Sequence, residues 1–144
     1  MKIQSRFFSV FVNRLSLLFV TLLISACATS FPFNTSRVVP AAEGTVKYKE
    51  DKNNNYTVQL KVMRLADANR LTPARKLYVL WMDTDRDGIR NLGQLKTVEG
   101  FFTSALNTSF STSTPFKPTR FFITAENDML VRTPSNYIVL DTKD

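Results

Sequence analysis

The 144-residue sequence predicts an all-β sandwich domain, and three observations carry that expectation. Between residues 45 and 141 the apolar side chains recur mostly with a period of two, the spacing of a strand with one buried face, and helical periodicity is weak throughout. Turn-forming clusters separate these runs at fairly regular intervals. Together they make about seven short strands in about a hundred residues, the pattern of an immunoglobulin-like pair of packed sheets.

The strands follow in order. Thr45 to Glu50 places Val46 and Tyr48 on one face and Lys47 and Lys49 on the other. Asp51-Lys-Asn-Asn-Asn55 is a turn cluster. Tyr56 to Val62 then alternates strictly, with Tyr56, Val58, Leu60 and Val62 against Thr57, Gln59 and Lys61, so the two segments predict a hairpin. Residues 64–76 contain Pro73 and read as a loop, with room for one helical turn at 65–70. Leu77-Tyr-Val-Leu-Trp-Met82 is apolar without interruption, which predicts a central strand covered on both faces. Asp83 to Gly88 is a turn, and Ile89 to Leu95 and Phe101 to Phe110 are further strands. Ser111 to Pro118 is a loop, and Arg120 to Glu126 and Tyr137 to Leu140 complete the set. The expected core is Val46, Tyr48, Val58, Leu60, Val62, Val79, Trp81, Leu92, Leu95, Leu106, Phe121, Ile123, Ile138 and Leu140.

The N-terminus has a different character. Lys2, Arg6 and Arg14 precede Leu15-Ser-Leu-Leu-Phe-Val-Thr-Leu-Leu-Ile24, an apolar run far shorter than the ~20 residues of a membrane-spanning helix. Asn13 and Arg14 would lie inside any longer span at a high desolvation cost. The run ends in Ile24-Ser25-Ala26-Cys27, which resembles the bacterial lipobox: an aliphatic residue and two small ones before a cysteine. The resemblance implies cleavage before Cys27 and a diacylglyceryl group on its sulfur, usually with a further acyl chain on the new amine. Two or more chains anchor firmly, at ~0.8 kcal/mol per buried methylene. Residues 1–26 then read as a lipoprotein signal peptide, 27–42 as a lipidated tether broken by Pro32 and Pro40, and 43–144 as the sandwich. Ala28 stands where an Asp resembles an inner-membrane retention signal, so the expected location is the outer membrane of a Gram-negative host, on its periplasmic face.

Composition narrows the chemistry. Of the 19 basic residues three precede Cys27, leaving sixteen against 12 acidic ones, a formal charge of +4 and an ordinary soluble surface. Nucleic acid is a poor expectation for an exported chain. Cys27 is the only cysteine and there is no histidine, which excludes Ser-His-Asp and Cys-His catalysis, zinc sites built on those residues and internal disulfides. Carboxylate-only or Ser-Lys chemistry stays open without a readable motif.

Three blocks carry a second resemblance. They are Tyr78-Val-Leu-Trp81, Asn91-Leu-Gly-Gln-Leu95, and Phe121-Phe-Ile-Thr-Ala-Glu126 followed by Thr133-Pro134 and Tyr137-Ile-Val-Leu140. Over residues 45–141 the chain is similar to the extracytoplasmic C-terminal domain of anti-sigma-K factors. The similarity implies a β-sandwich. Those regulators carry a sigma-binding domain and a membrane-spanning helix before this module, and neither stands before it here, so sigma-factor binding is not expected.

Candidate functional residues each have a plain alternative. Asp83, Asp85 and Asp87, then Gly88 and Asn91, resemble the start of a calcium-binding loop, with oxygen ligands at alternate positions and glycine at the bend. Gln94 stands where a bidentate Glu is expected, and the plain reading is a polar hairpin turn. Trp81 is either a sugar-stacking platform or core. Phe101, Phe102, Phe110 and Phe116, among Ser and Thr, are either a partner-binding edge or packing between sheets. Glu126 is either a functional carboxylate or a partner of Arg120 or Arg132. The leading expectation is a non-enzymatic, lipid-anchored interaction or structural module that contacts another envelope component. A calcium- or glycan-binding domain comes second and a carboxylate-only hydrolase third.

Overall fold

The computed structural model describes residues 28–100 and 103–143, so residues 1–26, expected to be a signal peptide, and Cys27, Phe101, Phe102 and Asp144 lie outside the described residues. The strands are β1 (Thr29–Pro32), β2 (Glu43–Glu50), β3 (Tyr56–Leu65), β4 (Leu77–Thr84), β5 (Ile89–Leu95), β6 (Val98–Gly100), β7 (Thr103–Thr114), β8 (Pro118–Glu126) and β9 (Ile138–Asp141). They form two antiparallel sheets, β1-β2-β3-β7-β6 and β5-β4-β8-β9, packed as a β-sandwich. The strands beyond the seven expected are β1 and β6, both short.

The alternation in β2 and β3 does what a period of two requires. Val46, Val58, Leu60 and Val62 are buried between the sheets, while Lys47, Lys49, Gln59 and Lys61 face solvent. The turn between them is closed by the Asp51 carboxylate, which accepts from the backbone N–H of Asn53 at 2.7 Å and of Asn55 at 3.0 Å. Asn54 takes the left-handed conformation there, one that Asn tolerates better than most residues. A bulge after Val62 extends β3 beyond its alternating part and turns Leu65 back into the core.

Residues 28–42 are not a free tether. Thr29 to Pro32 pairs with Tyr48 to Thr45, the Phe33 N–H donates to the Gly44 carbonyl, and the Asn34 N–H donates to that of Asp141. Phe31 stacks on Tyr48 at 5.9 Å and meets Phe121 edge-on at 5.6 Å. Ser36, Val39 and Ala42 are buried. Burial of the aromatic pair outweighs the chain entropy. Pro32 does not prevent pairing because it ends an edge strand, where no ladder partner needs its missing N–H. β1 is therefore part of the sandwich. Gly44 permits the close approach of these segments, since a Cβ there would come within 2.8 Å of the Lys61 carbonyl oxygen and of Val62.

The apolar run of β4 is covered on both faces, as its sequence predicts. Tyr78, Leu80 and Met82 point into the core between the sheets with Phe121, Ile123 and Leu140. Val79 and Trp81 point the other way and form a second small core with Phe122. The loop of residues 127–136 covers it, with Val131 packed against it. Val79 and Trp81 are thus core residues of the outer face. Ile138 is partly exposed instead of core, because a bulge between β8 and β9 brings Val139 and Leu140 inward together.

Candidate functional site

The most distinctive surface lies where β5, an edge strand, meets the loop over the outer face. A bulge at Leu92 sets Leu80 opposite Gly93 but Trp81 opposite Asn91. Gly93 holds φ +132°, a conformation that disfavours other residues, and a Cβ there would stand 3.3 Å from the Phe110 ring. The bulge puts Asn91 beside Trp81 on the outer face. Its side-chain amide donates to the backbone carbonyls of Met129 at 3.1 Å and Val131 at 2.9 Å.

The other end of the loop is tied by Glu126. This buried carboxylate accepts from the Thr124 hydroxyl at 2.6 Å and the Ser135 N–H at 2.8 Å. Thr124 in turn accepts from the Trp81 indole N–H at 2.8 Å. Within the loop the Asp128 carboxylate accepts from the Leu130 N–H at 2.9 Å.

Pinned in this way, the loop leaves a groove of about 670 Å³ between β5 residues 89–94 and loop residues 129–132. Ile89 (45% exposed), Met129 (47%) and Leu130 (77%) stand on it, three of the six exposed large hydrophobic side chains among the described residues. No carboxylate lines it and Arg132 stands on it, while the Arg90 guanidinium at its edge is taken up by Asp87. β5 pairs with β4 on one side, and no described strand lies along its other edge. An open strand edge beside exposed apolar residues is suited to receiving an extended segment.

The carboxylates of the calcium-like motif are not brought together on one point. Asp83 pairs with Arg120 at 3.1 Å, Asp85 with Arg86 at 3.6 Å, and Asp87 with Arg90. The fourth residue of that set, Asn91, is occupied by the loop carbonyls. Among the described residues no group of three or more acidic, His or Cys side chains is arranged to hold a metal ion.

The aromatic candidates are placed differently from a binding platform. Trp81 is fully buried and stacks on Phe122 at 6.3 Å, so it offers no ring face to a sugar. Phe110 and Phe116 are half-buried against the main core. Phe116 also lies 5.0 Å beneath the Arg90 guanidinium. Arg120 does not pair with Glu126. It bridges Asp83 and Asp141 and lies 4.6 Å over the Phe122 ring. Burial raises the Asp141 carboxyl, but the Arg120 hydrogen bond, the backbone N–H groups of Thr142 and Lys143 and the guanidinium charge outweigh it and hold the group below its ordinary value. The same pairing, foremost the hydrogen bond that Arg120 donates to Asp141, raises Arg120 further.

The groove itself escapes a reading by period. Its one signal is Met129-Leu130-Val131, an apolar triplet within a segment that otherwise reads as loop. The chain matches no protein-family model, no curated protein and no solved structure.

Proposed function

We propose that this chain is a bacterial envelope lipoprotein, anchored through Cys27, whose sandwich is a non-enzymatic docking module. Its partner is an envelope protein that contributes an extended segment with apolar residues and an acidic one. One observation carries the reading: the apolar groove, with Arg132 on it, lies along a strand edge that no described strand covers. Apolar side chains of such a segment would meet Ile89, Met129 and Leu130, an acidic one would meet Arg132, and its backbone would extend the sheet. The histidine-free composition with its single cysteine supports a non-enzymatic role. The lipobox supports the anchor, and Ala28 supports an outer-membrane, periplasm-facing location.

Strand order supports an immunoglobulin-like assignment. The succession β2-β3-β7-β6 facing β5-β4-β8-β9 corresponds to A-B-E-D facing C′-C-F-G. The blocks similar to the anti-sigma-K C-terminal domain all fall in the second of these sheets and the loop over it.

The test is site-specific photo-crosslinking in cells. A crosslinker at Leu130 should capture one envelope protein, with an identical probe at Met63, exposed elsewhere, as the control. Ile89→Asp should abolish the capture. A peptide from the captured protein should then shift the backbone amide resonances of residues 89–95 in the purified domain. Equal capture at Met63 and Leu130, or capture indifferent to Ile89→Asp, sinks the docking reading. Turnover of a cell-wall glycan by the purified domain sinks the non-enzymatic one.

A further inference from the structure

The N-terminal strand fixes how the domain stands relative to its anchor. Only Ala28 separates Cys27 from β1, and two extended residues reach ~7 Å. β1 is held by its register, Thr29 against Tyr48 and Pro32 against Thr45, and by the packing of Phe31 on Tyr48 and Phe121. The chain therefore leaves the sandwich at a defined end.

Register identifies that end. Tyr48 lies two residues before the end of β2, next to the turn at 51–55. Tyr56, just past this turn, pairs with Thr114, where the turn from β7 to β8 begins. Across the sandwich Thr84 pairs with Pro118, and the Asp85 N–H donates to the Lys117 carbonyl, which brings the β4–β5 turn to the same end. Lys49, Lys52, Arg86 and Lys117 are exposed on these segments, interspersed with exposed Glu50, Asp51 and Asp85. The 66–76 loop and the points where the 127–136 loop leaves and rejoins the sheet, Glu126 and Tyr137, lie at the opposite end, a strand length away. For the ten residues of β3 that is ~30 Å.

We infer that the lipidated protein is held directly against the lipid surface, with the 51–55, 85–88 and 115–117 turns facing the headgroups. The inference rests on the reading of Cys27 as a lipid anchor. The absence of slack between anchor and β1 sets the contact. The long axis of the sandwich then stands away from the membrane. The groove, between β5 and the loop folded back along the outer face, then opens sideways.

The experiment uses the full, lipidated protein in vesicles of phosphatidylethanolamine and phosphatidylglycerol. An introduced cysteine is the only reactive thiol, because the lipid occupies the sulfur of Cys27. Asn53→Cys and Arg70→Cys, labelled with one fluorophore, report the two ends, and headgroup-nitroxide lipid is the quencher. Quenching is expected to be several-fold stronger at position 53 than at 70. A Gly-Ser insertion of about fifteen residues after Ala28 should abolish most of that difference. Equal quenching at both positions in a vesicle-bound protein overturns the apposition alone. A label at 53 that is shielded from aqueous iodide but untouched by the lipid nitroxide overturns it too, and places a protein at that end. A protein that does not float with the vesicles overturns the anchor, and the apposition with it.

Discussion

The indole N–H of Trp81 donates to the Thr124 hydroxyl at 2.8 Å, on the face of the sheet turned away from the main core. The Thr124 hydroxyl passes its own proton donor to Glu126, which holds the Ser135 N–H. A buried aromatic on one strand is thus linked through two side chains to the loop that covers it. Each buried polar group in the relay has its partner, as the interior of a protein requires.

Thr124→Val keeps the shape but leaves the indole N–H unsatisfied. Urea unfolding should show a loss of about 1–3 kcal/mol. In the parent protein the Trp81 emission should be blue and indifferent to iodide, since the ring is fully buried. Free quenching would contradict the outer-face core.

Asn91→Ala removes both side-chain hydrogen bonds to the loop carbonyls. Stability should fall by about 1–2 kcal/mol. Tryptic cleavage after Arg132 should accelerate by more than the global loss predicts, because the loop opens locally. Cleavage in step with global unfolding would show that Val131 and Glu126 hold the loop without Asn91.

Asp141 sets a pH dependence with a definite sign. Its carboxyl is held below its ordinary value in the folded state, so folding favours the ionised form. The contribution is fully present above the unfolded pKa, ~4, and is lost as pH falls through the lower folded value. Asp141→Asn should cost about 1–2 kcal/mol at neutral pH, a figure moderated because the pair is partly solvated. It should also flatten the acid limb of a stability profile. An unchanged acid limb would mean that the Arg120 pairing contributes nothing.

Leu130→Asp should leave the melting temperature within the scatter of ordinary surface changes, under about 0.5 kcal/mol, because the side chain is largely exposed. It should nevertheless abolish crosslinking from a probe moved to Met129, also exposed on the groove. A large loss of stability would show that Leu130 packs on the domain and is not a contact waiting for a partner.

Gly44→Ala tests the packing of the N-terminal segment. The new methyl meets backbone at Lys61 and the Val62 side chain, and the Phe33 ring at 3.1 Å. A loss of about 1–3 kcal/mol is expected by denaturant unfolding. A truncation starting at Gly44 should be destabilised as well, since it removes β1, Phe33 and the buried Val39 and Ala42.

By itself the sequence determined the all-β class, the β2–β3 hairpin and the two-sided cover of β4. Those follow from local rules: a period of two, a run of Asp and Asn between strands, and an apolar stretch too long for one wet face. Only the tertiary structure decided which way Trp81 points, which groups Asp83, Glu126 and Arg120 meet, that Phe31 and Phe33 draw the N-terminal segment into the sheet, and that residues 127–136 fold back to make a groove. The physical reason is sequence separation. Asn91 and Val131 are forty positions apart, Arg120 and Asp83 thirty-seven, and Ser36 and Val139 more than a hundred. Such contacts leave no local pattern, because the sheets choose them when they close on one another.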